Sequence, residues 1–343
     1  MRIKFLWIVL CIGLSQFVHA DTYGDFLYPQ KRKSIDEFIS QERLQLNRDS
    51  KRLHRLFSYV RINQSLFPQV LKPVETVLRW ENYRSKFLTN ERITIASQFC
   101  LDYQTTLAEI ELFYQVDASM ICAIIAIETY MGRNTGKYPV FITLANLAFM
   151  GVSRQDFFKN ELRALFTLTE TEQLELLSLH GSYAGAMGLP QFISSSYLRI
   201  AIDYDCDGKR DLWQSIPDVV GSVGYYFKLS GWKLGAPILT RVTDYDDLEQ
   251  FALAKERDVV KVKTSDLLKA GVTLQEYEEQ LQTDRTVGIF YILNEAGEKQ
   301  YYVGFQNFLT ILKYNGATFY AMVAHELSNK IKEEIKVLTY EER

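Results

Sequence analysis

VDASMICAIIAIETYMG, residues 116–132, is apolar on nearly every side of a helix until it meets one acid, Glu128. Asp117 stands where a side chain caps a first turn. From Met120 to Ile127 no polar stripe appears, so this helix must be covered on most sides. The flanking sequence provides the cover. SIDEFISQERLQL (34–46) and QFCLDYQTTLAEIELFYQV (98–116) repeat apolar residues at spacings of three and four, which predicts helices. Residues 34 to about 130 read as helical, and residues 140–180 continue so. Further on come a glycine-rich segment, an acidic loop and a helix in VVGSVGYYFKLSGW (219–232). The pattern changes after 233. VGIFYILNEAGEKQYYVGF (287–305) predicts two strands around a turn at Asn294–Gly297. YNGATFYAMVAHELSNKIKEEI (314–335) predicts a last helix.

A chain of 343 residues holds two or three domains' worth of core. Apolar residues are 47%, charged residues 24%, and aromatics a high 13%, enough for a large core or a ring-lined groove. Net charge is −3. The basic runs KRK (31–33) and KRLHR (51–55) are short and read as solvated helix faces, so no nucleic acid is expected. The first twenty residues, MRIKFLWIVLCIGLSQFVHA, combine Arg2 and Lys4 with a ten-residue apolar run and a small-residue end at Ala20. That is the pattern of a cleaved leader, too short to span a bilayer. Leu10 stands before Cys11 where a lipid-modified cysteine wants a small residue, so a lipid anchor is not expected. Cys100, Cys122 and Cys206 remain after cleavage, an odd number without metal-ligand spacing. No disulfide framework follows from them; Cys100 and Cys122 read as core.

Three stretches carry chemistry. A carboxyl at the end of an apolar run loses water, which disfavours its charged form and suits a proton donor. Glu128 is such a group, against the plainer reading of a helix-end acid paired with a base. GSYAGAMGLPQF (181–192) has small residues that let backbone approach closely, and Gln191 offers both donor and acceptor. DYDCDGKRDLW (203–213) places Asp203, Asp205 and Asp207 at alternate positions before Gly208, like the first half of an EF-hand loop. Gln214 stands where the closing Glu of such a loop belongs; Asp218 follows four residues later.

Six stretches in one order resemble the membrane-bound lytic transglycosylase B family of peptidoglycan-cleaving enzymes. They are NYRSKF (82–87), IIAIETYMG (124–132), GSYAGAMGLPQF (181–192), DYDCDGKRDLW (203–213), GSVGYYFKLSGW (221–232) and FQNFLTILKYNGATFYAMVAHEL (305–327). The resemblance implies a mainly α (α+β) fold: a lysozyme-like helical core, a second helical domain and a small inserted β-containing domain. Mapped here, residues 1–20 are the leader, 21–115 an N-terminal helical region and 116–232 the catalytic core with a calcium loop at 203–218. A β-containing domain occupies 233–306, and 307–343 return to the core. It implies Glu128 as the single catalytic acid/base, Ser182 and Gln191 as sugar contacts, Tyr83, Tyr226 and Tyr314 as groove tyrosines, and Asn315 as a groove polar residue. A structural Ca²⁺ is expected on Asp203, Asp205, Asp207, the carbonyl of Lys209 and Asp218, with Asp211 acting through water. The expected partner is the peptidoglycan glycan strand, acted on by a periplasmic monomer without an organic cofactor. Met131, Pro190 and Phe157 depart from the family pattern, which puts individual sugar contacts in question. A lysozyme-type hydrolase and a non-catalytic calcium-binding wall protein are the alternative functions.

Overall fold

The computed structural model describes residues 23–67, 78–150, 154–251 and 253–341, so the leader lies outside the described residues. In chain order the elements are β1 (Tyr23–Phe26), α1 (Leu27–Leu46), α2 (Ser50–Ser58), β2 (Arg61–Asn63), α3 (Trp80–Arg84), α4 (Asn90–Asp102), α5 (Gln104–Tyr114) and α6 (Ala118–Thr129). There follow β3 (Tyr138–Pro139), α7 (Val140–Phe149), α8 (Gln155–Thr171), β4 (His180–Gly181), α9 (Ser194–Ile200) and α10 (Ile216–Ser230). The remainder is β5 (Leu239–Asp244), β6 (Val260–Lys263), α11 (Thr264–Lys269), β7 (Thr273–Leu274), β8 (Thr286–Leu293), β9 (Lys299–Gly304), α12 (Gln306–Tyr314) and α13 (Thr318–Glu341). The chain is mainly helical and divides into two compact units, one built from 78–131 and 220–341, the other from 23–67 and 132–219. No single described helix is long and apolar enough to cross a membrane.

In the first unit α6 packs against α4 and α13. Every residue of α6 after Ala118 is buried, as its unbroken apolar run requires. Each large aliphatic side chain so buried contributes about 1.5–3 kcal/mol. Two expectations are corrected here. Cys100 on α4 and Cys122 on α6 form a disulfide across a Cα–Cα distance of 6.3 Å. Helix packing brings them together, and nothing in their spacing announces it. Asp117 precedes α6 but makes no capping bond with its side chain. Its carboxylate instead accepts Trp232 Nε1–H (3.0 Å) and the Lys332 ammonium (2.9 Å), while Glu111 Oε2 takes the N–H of Ala118 (2.9 Å).

The same unit holds an antiparallel sheet in the order β6-β8-β9-β5-β7. The predicted hairpin is β8–β9, with Phe290 opposite Tyr302 and Tyr291 opposite Tyr301. One face buries Val287, Ile289 and Val303 with Val242, Leu267 and Leu274. On the other face Phe290 stacks on Tyr302 and on Phe308 of α12.

The second unit packs α1, α2, α7 and α8, with Phe38, Phe57 and Phe149 meeting edge to face. Glu42 is fully buried there and is neutralised by Arg48 and Arg163. A buried charge needs such partners, and losing one would cost several kcal/mol. After α8 the chain turns rather than remaining helical to 180, because Gln173 takes a left-handed φ of 54°.

Candidate active site

Glu128 is 3% exposed, in the last turn of α6. The helix ends with Tyr130 and Met131 both in the left-handed region, their N–H groups bonded back to Ala126 and Ile125. Two successive non-glycine residues at positive φ are costly and occur where surrounding structure fixes them. From α13, the Tyr320 hydroxyl donates to Glu128 Oε1 at 2.7 Å. Burial pushes the Tyr320 hydroxyl well above the usual tyrosine range, and the neighbouring Glu128 charge pushes it further. It therefore stays protonated and acts as a donor. The sequence reading missed Tyr320: in an apolar helix it looks like core, and only the crossing of α13 over α6 gives it a carboxylate.

Tyr314, at the end of α12, is raised in the same way by burial and by Glu128. Its ring stacks on Phe227 and meets Tyr226 at 4.8 Å. The Tyr226 hydroxyl donates to the Lys313 carbonyl. Tyr83 packs between Phe87 and Phe319 and is almost fully buried. Asn315 is 2% exposed; its Oδ1 accepts the N–H of Ala317, while its Nδ2 has no hydrogen-bond partner among the described residues. The first unit thus sets Tyr320 and Tyr314 beside the Glu128 carboxyl, with Tyr226 against Tyr314.

Ser182 and Gln191 belong to the second unit. Ser182 Oγ accepts the N–H groups of Ala184 and Ala186, and Gln191 Nε2 donates to the carbonyls of Thr135 and Gly188. Both side chains hold a tight loop. The close approach expected from its small residues is real: a Cβ on Gly181 would fall 2.1 Å from the Ala186 carbonyl oxygen. Phe157 lies against Phe158, with the Arg154 guanidinium 4.5 Å from its ring centre.

In the acidic loop, carboxylate oxygens of Asp203, Asp205 and Asp218 lie within 4.8 Å of one another. Asp218 is fully buried. Burial pushes its carboxyl up, opposed by N–H bonds from Asp211 and Tyr204, and the Asp205 charge adds to the rise. Three converging carboxylates suit a hard cation with oxygen ligands. Asp207 stands outside this group; its Oδ1 accepts the N–H of Lys209 at 2.9 Å. Asp211 caps the following turn, accepting the N–H groups of Trp213 and Gln214. Gly208 takes φ +90°, the sharp turn that its place in the loop calls for.

Residues 30–329 match the family model of the transglycosylase SLT domain. The chain is 32% identical over 318 residues to the membrane-bound lytic murein transglycosylase B of Escherichia coli, across 90% of this chain and 84% of that one. It is similar to the solved soluble lytic transglycosylase SltB1 of Pseudomonas aeruginosa, with 34% identity, coverage of 88% and 99%, and a TM-score of 0.78. It is also similar to the Escherichia coli lytic transglycosylase Slt35 solved in complex with calcium, with 28% identity, coverage of 93% and 98%, and a TM-score of 0.79. With a family model spanning most of its length and relatives matched along nearly all of theirs, the chain belongs to the transglycosylase SLT domain family.

Proposed function

We propose that this chain is a lytic transglycosylase that cleaves the β-1,4 bond between N-acetylmuramic acid and N-acetylglucosamine in peptidoglycan and leaves 1,6-anhydro ends. The observation that carries the reading is the buried Glu128 held by Tyr320. Protonated Glu128 gives its proton to the bridging oxygen as that bond breaks, and the aglycone leaves as an alcohol. The muramic acetamido carbonyl supports the electron-poor carbon. Glu128, now a carboxylate held by the Tyr320 hydroxyl, removes the proton from the sugar's own 6-hydroxyl. That oxygen closes the anhydro ring, so no water is consumed. Glycosidases that use water generally need two carboxylates. Among the described residues, Glu128 is the only carboxylate acting on Tyr314 and Tyr320, which favours the one-acid reaction over hydrolysis. Proton transfer of this kind contributes about 10²–10⁴-fold.

The reading places the lysozyme-like core at 116–232 and assigns Ser182, Gln191, Tyr83, Tyr226, Tyr314 and Asn315 to the sugar. Asn315 Nδ2 is a buried donor suited to a ligand oxygen. Asp203, Asp205 and Asp218 would hold a calcium ion, with Asp207 and the Lys209 carbonyl assigned from the loop pattern. Such an ion, when bound, would supply charge neutralisation to the loop and takes no part in the reaction. The leader and the Cys100–Cys122 disulfide support an oxidising, periplasmic location. Mass spectrometry of fragments released from purified peptidoglycan tests the reading: anhydro-muropeptides are expected, and reducing ends alone would replace it with hydrolysis.

A further inference from the structure

One polar row on the sheet has no part in the reaction above. Strand register sets Phe290, Tyr302 and Arg241 side by side across β8, β9 and β5. Phe290 stacks on Phe308, so this is the face that carries α12, the helix ending at Tyr314. Gln300 lies two residues along β9 from Tyr302, on the same face. With its amide nitrogen donating to the Tyr302 hydroxyl (2.8 Å), its oxygen lies 3.1–3.2 Å from all three Arg241 guanidinium nitrogens. Arg241 is exposed, and its partner among the described residues is this neutral amide. The nearby carboxylate of Glu326, six residues after Tyr320 on α13, is already taken by Arg84 at 2.6 Å. Glu326 and Glu81 both act on the Tyr302 hydroxyl, as Arg241 does, so the two groups of charges neighbour one another.

A guanidinium stacked face-on against a neutral amide oxygen keeps its N–H edges open, and its planar fork matches a carboxylate. The glycan proposed as substrate carries peptide stems, and every uncrosslinked stem ends in a free carboxylate. We propose that Arg241, positioned by Gln300 and Tyr302, is a receptor for a carboxylate of the peptide stem. The proposal rests on the peptidoglycan reading above. It makes Arg241 a determinant of substrate choice without a role in bond cleavage.

The test has two arms. A soluble stem pentapeptide is titrated into the wild-type chain, Arg241→Ala and Arg241→Lys by calorimetry. Turnover is then compared on peptide-bearing glycan and on glycan stripped of its stems by an amidase. Arg241→Ala should weaken peptide binding about three- to tenfold, the range for a partly exposed charged hydrogen bond. Arg241→Lys should restore only part of it. KM on peptide-bearing glycan should rise by the same factor, with kcat and turnover of stripped glycan unchanged. Equal peptide binding by wild type and Arg241→Ala would overturn the proposal, as would a KM that rises equally on both glycans. Peptide binding through Arg241 in a chain inactive on both glycans would uphold this site and count against the enzymatic reading instead.

Discussion

Glu128 and Tyr320 form one unit of chemistry, and single substitutions separate their roles. Glu128→Gln keeps the shape and removes the proton; release of anhydro-muropeptides should fall at least about 100-fold with the melting curve little changed. Tyr320→Phe removes only a donor to the carboxylate. Losing a hydrogen bond to a charged group costs about 1.5–3 kcal/mol, so kcat should fall roughly tenfold or more. The bond favours the charged form of Glu128, so its loss makes Glu128 harder to deprotonate. The alkaline limb of the pH–rate profile should therefore move to higher pH. An unmoved limb would reduce Tyr320 to packing. In the acidic loop, calcium should raise the melting temperature, by about 2.7 kcal/mol of stability at a hundredfold excess over Kd. Asp218→Ala should weaken that effect more than Gln214→Ala, because Asp218 converges with Asp203 and Asp205. Gln214 costing more would return the loop to the standard twelve-residue form.

At the scale of elements, the disulfide between α4 and α6 closes a loop across a sequence separation of 22, worth about 3 kcal/mol in the chain-entropy account. Cys100→Ser with Cys122→Ser should lower stability by about that amount in chemical denaturation, and a reductant should lower wild type to match. A reductant-insensitive wild type would show that the bond does not form. The elements also show what sequence can carry. The α6 run and the β8–β9 hairpin were legible because their periodicity is strong and local. β5, β6 and β7 were not predicted: VKVK and TL are too short to hold a pattern, and their sheet forms only by distant pairing. The cysteine pair and the diversion of Asp117 to Trp232 and Lys332 are products of helix packing, invisible to spacing. Glu128 was singled out by its place at the end of the apolar run, and Tyr314 and Asn315 by the resemblance. Tyr320, Gln300 and Arg241 were not, since each draws its meaning from a neighbour far away in sequence or on another strand.

At the scale of the whole molecule, stability and activity respond to pH through different groups. Burial lowers the His325 imidazole to about 4, with Lys332 adding to the effect. The folded state therefore disfavours the protonated ring that the unfolded chain accepts below its ordinary value of 6.5. Stability from this group is whole above 6.5 and is lost as the pH falls toward 4, by up to roughly 3 kcal/mol. His325→Gln should flatten the melting temperature across that window relative to wild type; an unchanged slope would assign the acid sensitivity to other groups. The central claim is that the sugar's own hydroxyl, and not water, takes the place of the leaving group. Digestion of purified peptidoglycan in heavy-oxygen water measures this directly. Glycan ends released by the chain should be anhydro and carry no solvent oxygen. Reducing ends labelled with solvent oxygen would contradict the account.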